Sequence, residues 1–241
     1  MHKSFVRLLA ACLAAAAVLA GCGAESGAAG VKTIRRPAVS SDELQFAAPA
    51  DGDTVAVFDT TAGEIRAVLY PAKAPQACAN FTSLAQQGYY NGTSFYRVVS
   101  GFCAEAGLSA DGGTSTVWSG SGYAPETTDA LHHYSGALCA AVNDSGQCTS
   151  VFYFLQTLPG ALDASASSAM TAAGCRQAVI DAYTAAGGAP YLDYTDTVFG
   201  QVYSGMDIVD AIGQAEADEN GRPLTDITIN SVTISTYSSA A

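Results

Sequence analysis

Residues 89–107 read YYNGTSFYRVVSGFCAEAG, and the remainder of the chain can be interpreted outward from this stretch. Its Asn91-Gly92 dipeptide is typical of a tight turn. The following run, residues 95–99, is rich in aromatic and β-branched side chains, which favours a strand. Arg97 lies within that run, and burying an unpaired guanidinium is costly. We therefore expect Arg97 to point out of the core or into a cleft.

The composition fits one domain of ordinary size with extensions. Of the 241 residues, 49% are hydrophobic and 13% are charged, so the chain can bury a large core. Residues 37–241 contain only five Lys and Arg against 21 Asp and Glu. A domain this acidic repels nucleic acid, so we expect no nucleic-acid partner. Because cations are scarce there, Arg97 is a candidate functional group rather than an incidental surface charge.

Residues 1–22 have the three parts of an export signal. A positive start precedes residues 8–20, an uncharged apolar run that is too short for a comfortable membrane span. The Leu-Ala-Gly-Cys ending at residues 19–22 resembles a bacterial lipobox, in which the cysteine is lipidated. We expect a lipoprotein signal peptide ending at Cys22, with export and lipid anchoring to the outer face of the bacterial cytoplasmic membrane. An ordinary cleaved signal peptide is the alternative.

Residues 23–50 are rich in Gly, Ala, Ser and Pro and contain the cations Lys32, Arg35 and Arg36. This composition predicts a flexible linker that holds a folded domain, residues 51–237, off the membrane. The three cations could contact anionic headgroups, or they could serve only as solubilising charges.

The folded part reads as a mainly β chain with few helices. Alternating runs at residues 54–59 and 64–70 predict a hairpin. A helical pattern opens at Pro75 and ends at Gly88. Later patterns predict strands at residues 135–142, 151–157, 197–202 and 225–235, and helices at 169–186 and 205–213. These elements together indicate a mainly β domain.

In this order, the motifs resemble the cyclophilin family of peptidyl-prolyl isomerases from about residue 53 to residue 235. The central stretch matches the family signature at Phe95, Arg97, Val98, Gly101, Phe102 and Gly107. It departs from that signature with Tyr96 for His, Glu105 for Gln and Ala106 for Gly. Later departures are Val151 for Gln, Tyr191 for Trp and Asp196 for His. The resemblance implies a closed eight-stranded antiparallel cyclophilin-like barrel capped by helices, with a helical insertion near residues 165–187.

The resemblance also implies the chemistry. The family isomerises X-Pro bonds, here those of exported proteins whose folding the enzyme would assist. Arg97 is implied as the catalytic donor that favours the twisted amide, and no metal or cofactor is required. The substrate-binding residues implied for the prolyl slot and its rim are Tyr96, Phe102, Cys103, Glu105, Val151, Tyr153, Tyr191 and Leu192. We expect a monomer whose partners are proline-containing polypeptides and, through Cys22, the membrane.

Two other functions stay open. The loss of the family His and Gln residues favours a prolyl-peptide binding module that kept the slot and is weakened as a catalyst. Glu105 could pair with Arg97 and neutralise part of its field, which predicts reduced turnover. A solute-binding lipoprotein is less consistent with the chain, because such proteins are usually longer and built from α/β repeats.

Five cysteines follow residue 22, and export would permit disulfides. Cys148 in a loop and Cys175 in the insertion are the expected pair, whereas Cys103 could line the cleft as a thiol. His132 and His133 are adjacent, so in an extended chain they point to opposite sides and are poor joint metal ligands. We therefore expect no metal site.

Overall fold

The computed structural model describes residues 32–119 and 121–240. The expected signal peptide, Cys22 and the first part of the expected linker lie outside these residues. None of the helices described has the length and apolar character needed to cross a membrane.

One antiparallel sheet of nine strands forms the body of the domain. The strands are β1 (Thr54–Thr60), β2 (Gly63–Leu69), β3 (Thr93–Ser94), β4 (Arg97–Val99), β5 (Cys103–Ala106), β6 (Ala137–Val142), β7 (Cys148–Leu155), β8 (Thr197–Ser204) and β9 (Thr228–Thr236). Their order across the sheet is β3-β9-β1-β2-β8-β6-β7-β5-β4. The predicted mainly β antiparallel fold is therefore confirmed.

The two edge strands belong to one extended segment of chain. Only Phe95 and Tyr96 separate β3 from β4. The Phe95 N–H donates to the Ile227 carbonyl, near the start of β9, whereas the Tyr96 N–H donates to the Glu105 carbonyl in β5. The chain thus crosses from one edge of the curled sheet to the other. Counted as one segment, β3 and β4 give the predicted eight strands, although no strand pairing joins β3 to β4 in the described part of the chain.

Four α-helices accompany the sheet: α1 (Pro75–Gln86), α2 (Ala164–Ala172), α3 (Gln177–Ala186) and α4 (Met206–Gly213). The predicted single helix at residues 169–186 is wrong, because the insertion forms α2 and α3 instead. Gly174 adopts a left-handed φ of +81° and Arg176 is extended, so the chain turns between the two helices. The alanine-rich sequence gave helix propensity on both sides but did not show this break.

The core is aromatic and lies between the sheet and α1. Phe58, Phe152, Phe154 and Phe199 are each at most 1% exposed. Helix α1 contributes Phe81, whose ring centroid lies 5.2 Å from that of Phe199. Full burial of a side chain of this kind stabilises a fold by about 1.5–3 kcal/mol. The candidate site lies on the face of the sheet opposite this core.

Residues 32–50, which we call the N-terminal strap, contact the domain at several points, which differs from the flexible linker predicted there. The Arg176 guanidinium donates two hydrogen bonds to the Glu43 carboxylate, at 2.6 and 3.0 Å. The Gln45 side chain is buried and bonds with the His132 backbone. The Phe46 ring centroid lies 4.9 Å from that of Tyr134. These paired groups attach the strap, although its small-residue composition favours a linker.

The expected disulfide between Cys148 and Cys175 is absent, and all five cysteines of the described chain are free. Cys148 is fully buried in β7 rather than in a loop, with its sulfur 3.8 Å from the Thr197 hydroxyl. Cys175 is exposed between α2 and α3. The pairing prediction was wrong because the strand begins three residues earlier than its pattern indicated.

Candidate active site

Four neighbouring strands place a row of side chains on the outer face of the sheet. Across adjacent strands Arg97 lies opposite Glu105, which lies opposite Tyr153, which lies opposite Cys139. Directly opposed residues share a face. The alternate residues Val98, Ala104, Phe154 and Leu138 are at most 4% exposed and belong to the aromatic core. The row therefore faces away from that core.

Arg97 is held by two neighbours but remains accessible. Its Nη1 atom donates to Glu105 Oε2 at 3.0 Å and lies 3.5 Å from the sulfur of Cys103. The Arg97 side chain is 41% exposed. Within the described part of the chain, the Arg97 side chain donates hydrogen bonds only from Nη1. Its Nη2 and Nε donors are therefore available to a ligand. The expectation that this guanidinium lies outside the core matches its position.

Glu105 connects Arg97 to Tyr96. The Tyr96 hydroxyl donates to Glu105 Oε1, and Arg97 occupies Oε2. Burial and the Glu105 carboxylate raise the pKa of Tyr96 well above its usual range, so its hydroxyl stays a neutral donor. The Glu105 side chain is only 16% exposed. The carboxylate thus orients Arg97 and also opposes part of its positive field.

Apolar side chains lie next to this polar group. Buried Cys103 and Tyr153 pack in one cluster with the partly buried Phe102 and Leu192. Burial raises the pKa of the Cys103 thiol to about 11, so the thiol is neutral and apolar at physiological pH. Together these four side chains form an apolar surface beside a cation, which is the arrangement that the sequence implied for a prolyl slot.

Tyr153 also carries a contact that sequence reasoning missed. Its hydroxyl donates to Asp196 Oδ2 at 2.7 Å. Burial raises the pKa of Asp196, and the Tyr153 bond opposes that effect. In the sequence Asp196 was visible only as a departure from the family His. No local pattern relates it to Tyr153, which lies 43 residues earlier.

Tyr191 and Val151 lie at the margin of the arrangement. Tyr191 is 63% exposed in a 3₁₀ turn, Pro190–Leu192, and its partial burial and the nearby Cys103 raise its pKa. Val151 is half-buried on the same face of β7 as Tyr153. Gly107 directly follows β5, and a Cβ atom at this position would lie 2.2 Å from the Ser150 carbonyl oxygen. Glycine therefore allows the chain after β5 to pack closely against Ser150 and Val151 of β7.

The structure thus brings together most of the residues that the sequence assigned to the site. The shared group comprises Arg97, Tyr96, Phe102, Cys103, Glu105, Tyr153 and Leu192. Val151 and Tyr191 lie at its edge. The catalytic and binding roles of these residues stay predictions.

A second polar cluster explains the adjacent histidines. The Nδ1 atoms of His132 and His133 both lie 2.9 Å from oxygens of Asp193, so the expectation that they point to opposite sides was wrong. Tyr183 donates to the same carboxylate. Burial raises the pKa of Asp193, but the hydrogen bonds from His132 and His133 outweigh it and bring the pKa to about 2. Among the described residues no group of three or more His, Cys, Asp or Glu side chains is arranged to hold a metal ion.

Comparison with known proteins gives consistent matches. The family model for cyclophilin-type peptidyl-prolyl cis-trans isomerase/CLD matches residues 55–234. A protein of Staphylococcus saprophyticus named as a peptidyl-prolyl cis-trans isomerase is 32% identical over 181 residues, which cover 74% of this chain and 90% of the relative. A similarly named protein of Staphylococcus aureus is 31% identical over 185 residues, covering 76% and 92% of the two chains.

Solved structures agree in fold. A cyclophilin-type peptidyl-prolyl cis-trans isomerase of Cryptosporidium parvum, crystallised in the presence of the dipeptide ala-pro, superposes with a TM-score of 0.59 at 19% identity. The superposition covers 76% of this chain and 99% of that one. A second structure of that protein gives a TM-score of 0.60.

Proposed function

The chain belongs to the cyclophilin-type peptidyl-prolyl cis-trans isomerase family, and we propose that it catalyses isomerisation of X-Pro bonds of exported proteins at the apolar surface beside Arg97. The observation that supports this site is the placement of Arg97, with free donors, next to the apolar surface of Phe102, Tyr153 and Leu192. Prolyl isomerisation requires only these two features, a hydrogen-bond donor and an adjacent apolar surface.

Isomerisation is slow because resonance gives the X-Pro bond partial double-bond character, with a barrier of about 18–20 kcal/mol. A donor that hydrogen-bonds the twisted, non-resonant amide lowers this barrier without forming a covalent bond. Arg97 Nη2 or Nε would donate to the prolyl nitrogen or to the preceding carbonyl. Each ~1.4 kcal/mol by which this bond is stronger in the twisted state raises the rate tenfold.

The apolar surface would hold the proline ring while the carbonyl side rotates. Phe102 and Leu192 are partly buried and present apolar surface, and Tyr153 forms the floor between β5 and β6. Proline-containing polypeptides are therefore the proposed substrates. The presence of ala-pro with the Cryptosporidium parvum relative supports this substrate class.

We also propose that the protein acts as a monomer outside the cell membrane, anchored by lipid on Cys22. The support is the sequence of residues 1–22, which ends in Leu-Ala-Gly-Cys. Labelling cells with a palmitate analogue tests this anchor. Incorporation into the wild type but not into Cys22→Ser is expected, and equal labelling of both would reject it.

A weakened prolyl-peptide binding module is the second candidate, and the Arg97–Glu105 ion pair favours it. Nuclear magnetic resonance exchange spectroscopy on an Ala-Pro peptide separates the two functions. Accelerated exchange between the cis and trans forms supports the enzyme. Peptide binding without acceleration would instead support the binding module.

A further inference from the structure

The N-terminal strap inserts a cation into the domain. Arg36 donates to both oxygens of Asp210, from Nε at 2.9 Å and from Nη2 at 2.6 Å. Its Nη1 atom donates to the Ser135 hydroxyl and to the Thr157 carbonyl. The Asp210 side chain is only 4% exposed and the Arg36 side chain 19%. Arg36 thus supplies the counter-charge of a buried carboxylate on α4.

Asp210 also contacts a glutamine that leads to the candidate site. Gln156 Nε2 donates to Asp210 Oδ1 at 2.8 Å, and Gln156 is fully buried. The same side chain accepts the Gly101 N–H through Oε1 at 2.8 Å. The Gln156 backbone N–H donates to the Phe102 carbonyl at 2.7 Å. One residue therefore joins the Asp210 carboxylate to the turn that carries Phe102.

A backbone hydrogen bond from the Phe102 N–H to the Val99 carbonyl, at 2.9 Å, closes this turn, and Gln156 holds its other side at Gly101 and at the Phe102 carbonyl. Gly101 adopts a left-handed φ of +76°, a conformation that glycine adopts readily and that its neighbours must hold in place. Gln156 has little room to move, because a Cβ on Gly213 of α4 would lie 2.9 Å from its Cγ. A change in the hydrogen bond between Gln156 and Asp210 is therefore expected to move the backbone at Gly101 and Phe102.

Removing the counter-charge should produce such a change. A buried carboxylate that loses its partner is destabilised and recruits other donors or water. The donor nearest to Asp210 besides Arg36 is the Gln156 amide, which orients the turn. We propose that Arg36 is a positioning residue that holds Phe102 in the apolar surface beside Arg97, acting through Asp210 and Gln156. This inference rests on the proposed function, and it makes the strap part of the working enzyme.

The test is Arg36→Met in the full chain, with Asp210→Asn added to remove the charge that Arg36 neutralises. Arg36→Met should lower kcat/KM for an Ala-Pro peptide about three- to tenfold, which corresponds to one weakened contact. On the proposed function Phe102 would contact the proline ring both before and during rotation, so the loss should appear mainly in KM. The double variant should recover to within about twofold of the wild type.

Arg176→Met is the matched control, because Arg176 also attaches the strap but makes no bond to Asp210 or Gln156. It should leave kcat/KM unchanged. Unchanged activity of Arg36→Met would overturn the proposal. Equal losses in the single and double variants would also overturn it, because they would indicate a general packing role.

The amide resonance of Gly101 gives a second readout that does not depend on catalysis. It should shift in Arg36→Met, return toward its wild-type position in the double variant and stay in place in Arg176→Met. If the wild type does not accelerate isomerisation, the proposed function fails. The resonance would still show whether Arg36 controls the turn, and an unshifted resonance would reject the connection itself.

Discussion

Arg97 Nη1 lies 3.0 Å from Glu105 Oε2, in a pair formed by directly opposed residues of β4 and β5. The backbone register holds this pair together, so the guanidinium has a defined orientation before any ligand arrives. The same carboxylate reduces the positive field that a rotating amide would experience. Glu105 therefore improves the orientation of the Arg97 guanidinium but weakens its electrostatic effect on a bound amide.

Replacing Arg97 by Ala should lower kcat/KM about 10²- to 10³-fold, the usual effect of removing a donor that stabilises a transition state. The measurement is cis–trans exchange of an Ala-Pro peptide. Arg66→Ala is the control, because Arg66 forms an exposed ion pair with Glu64 and should leave the rate unchanged. An Arg97→Ala protein that is folded and fully active would exclude Arg97 as the catalytic residue.

Replacing Glu105 by Gln should raise kcat/KM, by about two- to tenfold. A glutamine can still accept from Arg97 while carrying no charge, so the orientation would persist and the opposing field would disappear. Glu105→Ala should instead lower the rate, because Arg97 and Tyr96 would both lose their acceptor. If Gln and Ala had the same effect, Glu105 would not orient Arg97.

The carboxylates of Asp196 and Glu105 should make the candidate site favour substrates with a cation near the proline. The ratio of kcat/KM for a Lys-flanked peptide to that for a Glu-flanked peptide should fall about two- to fivefold in Asp196→Asn. High salt should reduce the wild-type ratio in the same direction. Asp59→Asn, at an exposed position of β1, is the control. A ratio insensitive to both changes would contradict the prediction.

The pKa of Asp193, lowered to about 2 by hydrogen bonds from His132 and His133 that outweigh burial, predicts a loss of stability in acid. A depressed pKa means that the stabilisation is present above the usual value of 3.8 and is lost as pH falls toward 2. This stabilisation contributes about 2 kcal/mol to the free energy of unfolding. Urea unfolding between pH 5 and 2 measures it. In Asp193→Asn the free energy of unfolding should depend less on pH between 5 and 2. The exposed control Asp144→Asn should keep the wild-type pH dependence.

The free thiols should differ sharply in reactivity. Cys175 is exposed, whereas burial raises the pKa of Cys148 to about 11. Brief alkylation of the native protein, followed by peptide mass spectrometry, should modify Cys175 and leave Cys148 unmodified. After denaturation both should react. Protection of Cys175 that is lost on reduction would show instead that a disulfide forms in solution.

The sequence predicted the fold where the signal was local. The hairpin of β1 and β2 follows from two alternating runs, and α1 follows from Pro75 and the regular spacing of its apolar residues. In the same way, the sequence predicts Arg97 as a site residue, because burying an unpaired cation in an apolar strand is costly. These inferences used residues within a few positions of one another.

The rest depended on distant partners. Arg36 lies in a segment with linker-like composition, and its acceptor, Asp210, is 174 residues away in the chain. The same holds for Tyr153 and Asp196, whose side chains are hydrogen-bonded although they lie 43 residues apart. Composition and periodicity describe a residue's own segment, so they could not reveal these contacts.

The position of β9 between β1 and β3 has a consequence for biosynthesis. Of the nine strands described in this sheet it is translated last, yet it supplies the pairing partner for two strands near the start of the domain. A nascent chain therefore cannot complete its sheet until β9 has emerged from the ribosome. Until then β1 and β3 each have an open edge, which other chains could pair with.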